Sequence, residues 1–112
     1  MYSWGNDINA TRANYSVSGL SQTRDVGYYA ANPLGFFDMH GNVFEWTADW
    51  YAVYSSGAQT DPTGPALGTY RVLRGGSWIS GGTSLRSSKR GNSVPPILRS
   101  SDFGFRVGFK QQ

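Results

Sequence analysis

The sequence predicts a strand- and loop-rich domain with little helix, and three observations carry that prediction. The first is an alternation that starts at Phe44: Phe44, Trp46, Ala48 and Trp50 share one face, while Glu45, Thr47 and Asp49 share the other. Period two over such a run is the pattern of a half-buried strand. The second is a similar run near the end, where Phe103, Phe105, Val107 and Phe109 alternate with Gly104, Arg106 and Gly108. The third is punctuation. Fifteen glycines and five prolines interrupt 112 residues, and no apolar stripe of helical period lasts longer than about two turns.

Residues 1 to 33 read as loops and short extended pieces. Tyr2-Ser3-Trp4-Gly5-Asn6 opens with aromatics and closes on a turn, and the Asn, Asp, Ser and Gly that follow keep the region turn-rich. Asn14-Tyr15-Ser16 fits a glycosylation acceptor, a pattern without meaning outside a secretory context. Asp25 to Tyr29 is a candidate short strand, ended by Asn32-Pro33. His40-Gly41-Asn42 is turn chemistry, because Gly and Asn tolerate positive φ. It feeds the aromatic strand, and Asp38 and Glu45 flank it. Two carboxylates beside such a turn can converge on a hard cation, with carbonyl oxygens completing the shell. The plainer alternative has Asp38 capping the turn and Glu45 pairing with an arginine or facing solvent.

The segment from Gln59 to Gly68 holds two prolines and two glycines and reads as a surface loop. Tyr70 to Leu73 follows as a strand. Gly75-Gly76 then lets the backbone bend or approach a neighbour, and Trp78 is placed in the core. Leu85-Arg86-Ser87-Ser88 and the Phe103 to Phe109 run look like framework. Between these lie two aperiodic stretches rich in Ser, Gly, Asn and Pro, Ile79 to Ser84 and Gly91 to Asp102, the composition of exposed loops.

The size suits one domain, residues 1–112, with a modest core. Four Trp, seven Tyr and six Phe supply aromatic bulk. No apolar run approaches membrane-spanning length, so no membrane insertion is expected. The N-terminus carries no signal-peptide pattern. Without cysteine there are no disulfides or thiolate metal sites, and the redox compartment stays open. Location stays open too. The net charge of +3 is unevenly placed. From Tyr70 onward eight basic residues face one acid, Asp102 (8 − 1 = +7), whereas Arg12 and Arg24 precede it against six acids (2 − 6 = −4). A basic half can suit a polyanion. Its arginines can equally act as struts paired with the acidic half, and Arg74, Arg86 and Arg106 sit in apolar, strand-like text that suits struts. No nucleic-acid-binding motif accompanies the charge, so nucleic acid is not the expected partner.

Catalytic chemistry is sparse. A nucleophile needs an activating base, and His40 is the only histidine; its place in a turn suits capping of backbone groups. Ser77 lacks the flanking glycine of a nucleophile elbow. One histidine without cysteine does not supply a zinc ligand set, and no phosphate-cradling loop is present.

Gly35-Phe36-Phe37-Asp38-Met39-His40-Gly41-Asn42-Val43-Phe44-Glu45-Trp46 is similar to the signature of the formylglycine-generating-enzyme (sulfatase-modifying factor) family. Ser3-Trp4-Gly5-Asn6 extends the resemblance upstream. Arg71-Val72-Leu73-Arg74-Gly75-Gly76-Ser77-Trp78, Leu85-Arg86-Ser87-Ser88 with Arg90, and Gly104-Phe105-Arg106-Val107 extend it downstream, in order and over nearly the whole chain. The resemblance implies an α+β domain with little helix, a C-type lectin-like fold of the formylglycine-generating-enzyme type, truncated or minimal at its N-terminus. It also implies a structural Ca²⁺ held by Asp38, Gly41, Val43 and Glu45, with Gly41 and Val43 offering main-chain oxygens. A second calcium site of the family uses residues near Asn14; Ser18 stands where its acidic partner would fall, so that site is not expected here. The family's enzyme oxidises a substrate cysteine through a pair of its own cysteines. The matching positions hold Ser80 and Leu85, so neither copper nor that activity is expected, and catalytic residues are none.

The stretch from Leu73-Arg74 onward also resembles the variable proteins of diversity-generating retroelements, prokaryotic and phage proteins that use this lectin-like fold as a scaffold. Their adenine-templated mutagenesis of Asn-type codons cannot reach Lys, Gln, Glu, Met or Trp. Neither 79–84 nor 91–103 contains any of those five types; Lys89, between the windows, is read as fixed. The resemblance therefore implies a ligand-binding domain displaying both windows to a protein or cell-surface ligand. The expected contact residues are Ile79, Ser80, Thr83, Ser84, Asn92, Ser93, Val94, Ile97, Leu98, Arg99 and Ser101. Ile97, Leu98 and Arg99 are the anchors, being large and apolar or capable of bidentate bonding. The alternatives are a non-oxidising relative of the family's enzyme and an accessory domain of a larger protein.

Overall fold

A computed structural model of the chain describes residues 1–91 and 94–108. Its centre is a three-stranded sheet of β1 (Phe44–Trp50), β2 (Arg71–Arg74) and β3 (Phe103–Gly104), in the order β2-β1-β3. β1 runs antiparallel to β2, pairing Glu45 with Arg74, Trp46 with Leu73 and Trp50 with Arg71, with a register shift between Trp46 and Trp50. β3 runs parallel to β1, pairing Phe44 with Phe103 and Glu45 with Gly104. Helix among the described residues is confined to two short 3-10 turns, Ser16–Ser18 and Gly82–Leu85.

β1 has the bounds that its alternation predicts. Phe44 and Trp46 both meet the Phe103 ring edge-on, with centroids 6.2 and 5.7 Å apart, and Trp50 lies under the Arg71 guanidinium. β2 begins one residue later than expected. Tyr70 still bonds β1's continuation through Tyr51 N–H, at 2.8 Å, and Val72 and Leu73 are buried.

Three expectations need correction. Asp25 to Tyr29 forms no strand: Val26-Gly27 is a turn, Gly27 N–H bonds Asp38, and the Asn42 side chain takes both backbone groups of Arg24. The terminal strand stops at Gly104, because β1 offers pairing only at Phe44 and Glu45. Beyond it Phe105 and Val107 are exposed, and Phe109 lies outside the described residues. Trp78 is partly buried and not part of the buried core; its backbone N–H bonds Asn42 O, while its indole nitrogen is buried and has no partner among the described residues.

The main apolar cluster lies beside the sheet. Tyr2, Ala13, Tyr15 and Leu85 form it, with Trp4 and Ile8 packed against them. Gly76 makes this possible: a Cβ there would stand 2.6 Å from Leu85 Cδ1. Gly41 is stricter still. Its φ is +81°, and a Cβ would lie 2.2 Å from the Asn14 carbonyl oxygen. That close approach lets the Gly41-Asn42 turn dock on the N-terminal loop, with Asn42 N–H donating to Asn14 O at 2.8 Å.

Candidate functional site

The turn before β1 opens one side of a cleft of about 310 Å³, lined by Asp38, Gly41, Val43 and Glu45 together with Val26, Phe37, Phe105 and Arg106. All four residues expected at a cation therefore share one cleft. Asp38 Oδ2 accepts Gly27 N–H at 2.6 Å. Glu45 accepts from Arg106, from Nε at 3.0 Å and from Nη2 at 2.5 Å, and Arg106 Nη2 also reaches Asp38 O at 3.3 Å. The Glu45 bond pushes the Arg106 pKa up, against an opposing effect of burial. With two carboxylates and one guanidinium, the lining keeps a formal charge of −1. Asp38 thus caps backbone and Glu45 pairs with arginine, in a lining that is otherwise largely apolar, with Val26, Phe37, Val43 and Phe105.

His40 is buried beside the cleft's turn. Its Nδ1 lies 2.6 Å from Leu85 O, and its Nε2 accepts Ser3 N–H at 3.0 Å. A carbonyl can only accept and a backbone N–H can only donate, so these partners select the neutral tautomer protonated at Nδ1. Burial is the largest influence on its pKa and lowers it. The ring caps backbone groups, as its turn position suggests.

The two loop windows meet at a polar tether. Ser77, fully buried, donates from Oγ to Asp102 Oδ2 at 2.9 Å. Ser80 Oγ lies 3.1 Å from Ser77 Oγ and accepts Ser77 N–H at 3.0 Å. Ser100 Oγ donates to the other Asp102 oxygen, and Asp102 O accepts Phe44 N–H at 2.8 Å. A single residue, Asp102, thus fastens the foot of 79–84 and the end of 91–103 through its carboxylate and the start of β1 through its backbone carbonyl. Sequence reasoning missed this role for Ser77, Ser100 and Asp102; the one signal was that Asp102 is the lone acid of a basic half.

The expected contact residues divide by exposure. Ile79, Thr83, Ile97, Leu98, Arg99 and Ser101 are exposed, Ile97 at 87% and Ile79 at 62%. Ser80, Ser84 and Val94 are half-buried and bonded inward: Ser80 to Ser77, Ser84 N–H to Gly81 O, and Val94 O to Arg71 N–H on the free edge of β2. Asn92 and Ser93 lie outside the described residues.

With this arrangement in view, residues 1–110 match the sulfatase-modifying factor enzyme 1-like domain. The chain belongs to that family. Among curated relatives of this sulfatase-modifying factor domain, the serine/threonine-protein kinase pkn1 of Chlamydia caviae is 44% identical over 109 residues, 94% of this chain and 17% of the kinase. The formylglycine-generating enzyme of Streptomyces coelicolor is 31% identical over 123 residues, 94% of this chain and 39% of the enzyme. Among solved structures, Treponema denticola variable protein 1 aligns with a TM-score of 0.82 and 36% identity, over 94% of this chain and 40% of that one. PvdO from Pseudomonas aeruginosa aligns at 0.77 and 31%, over 94% and 42%. The domain thus spans less than half the length of each of these relatives. Its fold is the C-type lectin-like fold of the formylglycine-generating-enzyme type. Ser80 and Leu85 stand where the enzyme's cysteines were expected, and the sequence has no cysteine at all. No helix among the described residues is long and apolar enough to cross a membrane.

Proposed function

We propose that this sulfatase-modifying factor domain is a target-recognition module of the variable-protein kind, a fixed frame that presents 79–84 and 91–103 to a protein or cell-surface ligand. The observation that carries the reading is large apolar side chains held out on segments whose feet are fastened. Ile79 and Ile97 face solvent, while Ser80, Val94 and Asp102 bond the same segments to the frame. Likeness to Treponema denticola variable protein 1 supports it. Covering either isoleucine in a complex would contribute about 1.5–3 kcal/mol, the scale of an interface anchor. Deep sequencing of the locus across its natural population tests the reading. Substitutions concentrated at 79–84 and 91–103, with 71–78 and 104–107 constant, are expected. Variation spread evenly, or windows quieter than the frame, overturns it.

A second reading has its own observation. The 44% identity to pkn1 covers only 17% of that kinase, so domains of this kind occur within larger proteins. On that reading the chain is a non-oxidising accessory domain with conserved windows, and the same sequencing separates the two.

For the cleft below β1 we propose a structural Ca²⁺ at Asp38, Gly41, Val43 and Glu45. Support comes from their shared lining and its residual negative charge. Bound there, the ion would supply no reaction chemistry. It would brace the turn that sets the start of β1, with Glu45 shared between the ion and Arg106.

A further inference from the structure

The C-terminal half carries positive charge that its own contacts leave uncancelled. Among the described residues the one ion pair joins Arg106 to Glu45. Four further arginines are held by carbonyl oxygens and rings. Arg71 bonds Ala48 O and lies over Trp50; Arg74 bonds Ser87 O and Lys89 O. Arg86 Nε bonds Thr83 O at 3.0 Å, and Arg90 Nη1 bonds Ala52 O at 2.7 Å. Carbonyl dipoles and ring faces orient a guanidinium without neutralising it. The expectation of struts paired with the acidic half therefore holds for Arg106, while Arg74 and Arg86 are anchored to backbone.

Two of these arginines converge with a lysine on one concavity. Arg86, Lys89 and Arg90 line a cleft of about 300 Å³ with Tyr51, Tyr54 and Ser88, and no carboxylate is among its lining residues. Arg90 is set in place from two sides. Its guanidinium carbon lies 4.5 Å from the Tyr51 ring centroid and 3.8 Å from that of Tyr54, and its Nη1 is pinned by Ala52 O. Such an arginine has already lost its rotamer freedom, so a ligand need not order it. Arg86 spends Nε on Thr83 O, and no described acceptor engages its two Nη atoms.

We propose that this cleft is an oxyanion site that takes a phosphate or sulfate group, free or as an ester. A tetrahedral oxyanion presents several acceptor oxygens and needs donors from more than one direction. Two guanidinium forks, an ammonium and the Tyr51, Tyr54 and Ser88 hydroxyls supply donors only, or can be turned to donate. The volume equals that of about ten waters at roughly 30 Å³ each, room for the group and part of a carrier. All the cations stand at 86–90, between the two windows. The site thus needs no variation in the windows and would read a constant feature of a target, independently of the recognition reading above.

Amide-resolved NMR titration of the full chain at constant ionic strength tests this, with inorganic phosphate, inorganic sulfate, glucose 6-phosphate and glucose 6-sulfate as probes. Saturable shifts confined to 86–91, Tyr51 and Tyr54 are expected. The exposed pair R86Q/K89Q should weaken binding by at least about tenfold, the loss of one charge-assisted hydrogen bond or more, with the remaining spectrum unmoved. Tighter binding of the sugar esters assigns the site to a carried group, and equal binding assigns it to the free ion. Shifts that climb without saturating at every surface cation overturn the proposal, as does unchanged affinity in R86Q/K89Q.

Discussion

The buried Ser77 hydroxyl donates to Asp102 Oδ2 across 2.9 Å, and through that bond two segments far apart in sequence share one footing. Asp102→Ala leaves the Ser77 donor buried without its acceptor. It should destabilise the domain by about 1–3 kcal/mol, read as a lower urea midpoint at unchanged slope. Ser77→Ala added to it should cost less than the sum of the two singles, because the orphaned hydroxyl goes too. Strict additivity would mean that the bond couples nothing.

Gly41 answers to a different constraint. Its φ of +81° disfavours any Cβ, and here the Cβ would meet the Asn14 carbonyl at 2.2 Å. Backbone cannot step aside as a side chain can. Gly41→Ala should cost more than about 2 kcal/mol, combining left-handed strain with displacement of the loop. Gly81→Ala is the matched control, since a Cβ there meets nothing within 4 Å and its φ is not positive. Thermal melts of the two variants should differ plainly; equal melts would dissolve the account of the turn.

His40 makes stability depend on pH. Its folded pKa lies below the 6.5 of the free side chain because burial disfavours the charged ring. Below pH 6.5 the unfolded chain binds the proton and the folded chain resists it, so stability falls as pH falls from 6.5 to the folded pKa and levels off beneath it. Above 6.5 this contribution is fully present. His40→Gln should flatten that window of a stability–pH profile at some loss of overall stability. A wild-type curve rising on acidification between pH 6.5 and 5.5 would contradict the tautomer that Leu85 O and Ser3 N–H select.

Calcium supplies a further test. At about one hundred times its dissociation constant, a cation bound only to the folded state adds about 2.7 kcal/mol. Adding Ca²⁺ to chelator-treated protein should raise the melting temperature. Glu45→Gln should remove the increment, whereas Asp49→Asn, on the exposed part of β1, should keep it. An unmoved wild-type melt would retire the ion from the turn.

How much of this was legible in the sequence depends on the range of the interactions. The bounds of β1 were legible from its alternating aromatics, but the register shift between Trp46 and Trp50 and the exposure of Ala48 were not, because they are set by pairing with β2. β3 was over-extended, since Phe105 and Val107 keep the alternation although no strand among the described residues pairs with them. The Asp25 to Tyr29 strand was misread because Asp38 claims the Gly27 N–H within it and Asn42 claims both backbone groups of Arg24 just before it, residues well along the chain. The four cleft residues came from a contiguous motif and fall together. The Ser77–Asp102 tether, and the meeting of Arg90 with Tyr51, Ala52 and Tyr54, depend on pairings across the fold that no local pattern encodes.

The outer edge of β2 is finished by the second window itself: Arg71 N–H bonds Val94 O at 3.1 Å, and Gly91 N–H bonds Leu73 O at 2.6 Å. An uncovered strand edge is a template for other copies of the same chain. On the proposed recognition role, the stretch offered to targets would double as the guard against self-association. Sequence changes there would then meet two selections in order, first for staying monodisperse at working concentration and only then for affinity. Backbone-neutral exchanges at exposed Ile97, Leu98 and Arg99 pass the first, while a proline at position 91, which removes the N–H that closes the edge, is expected among the aggregated fraction of any library built on this frame.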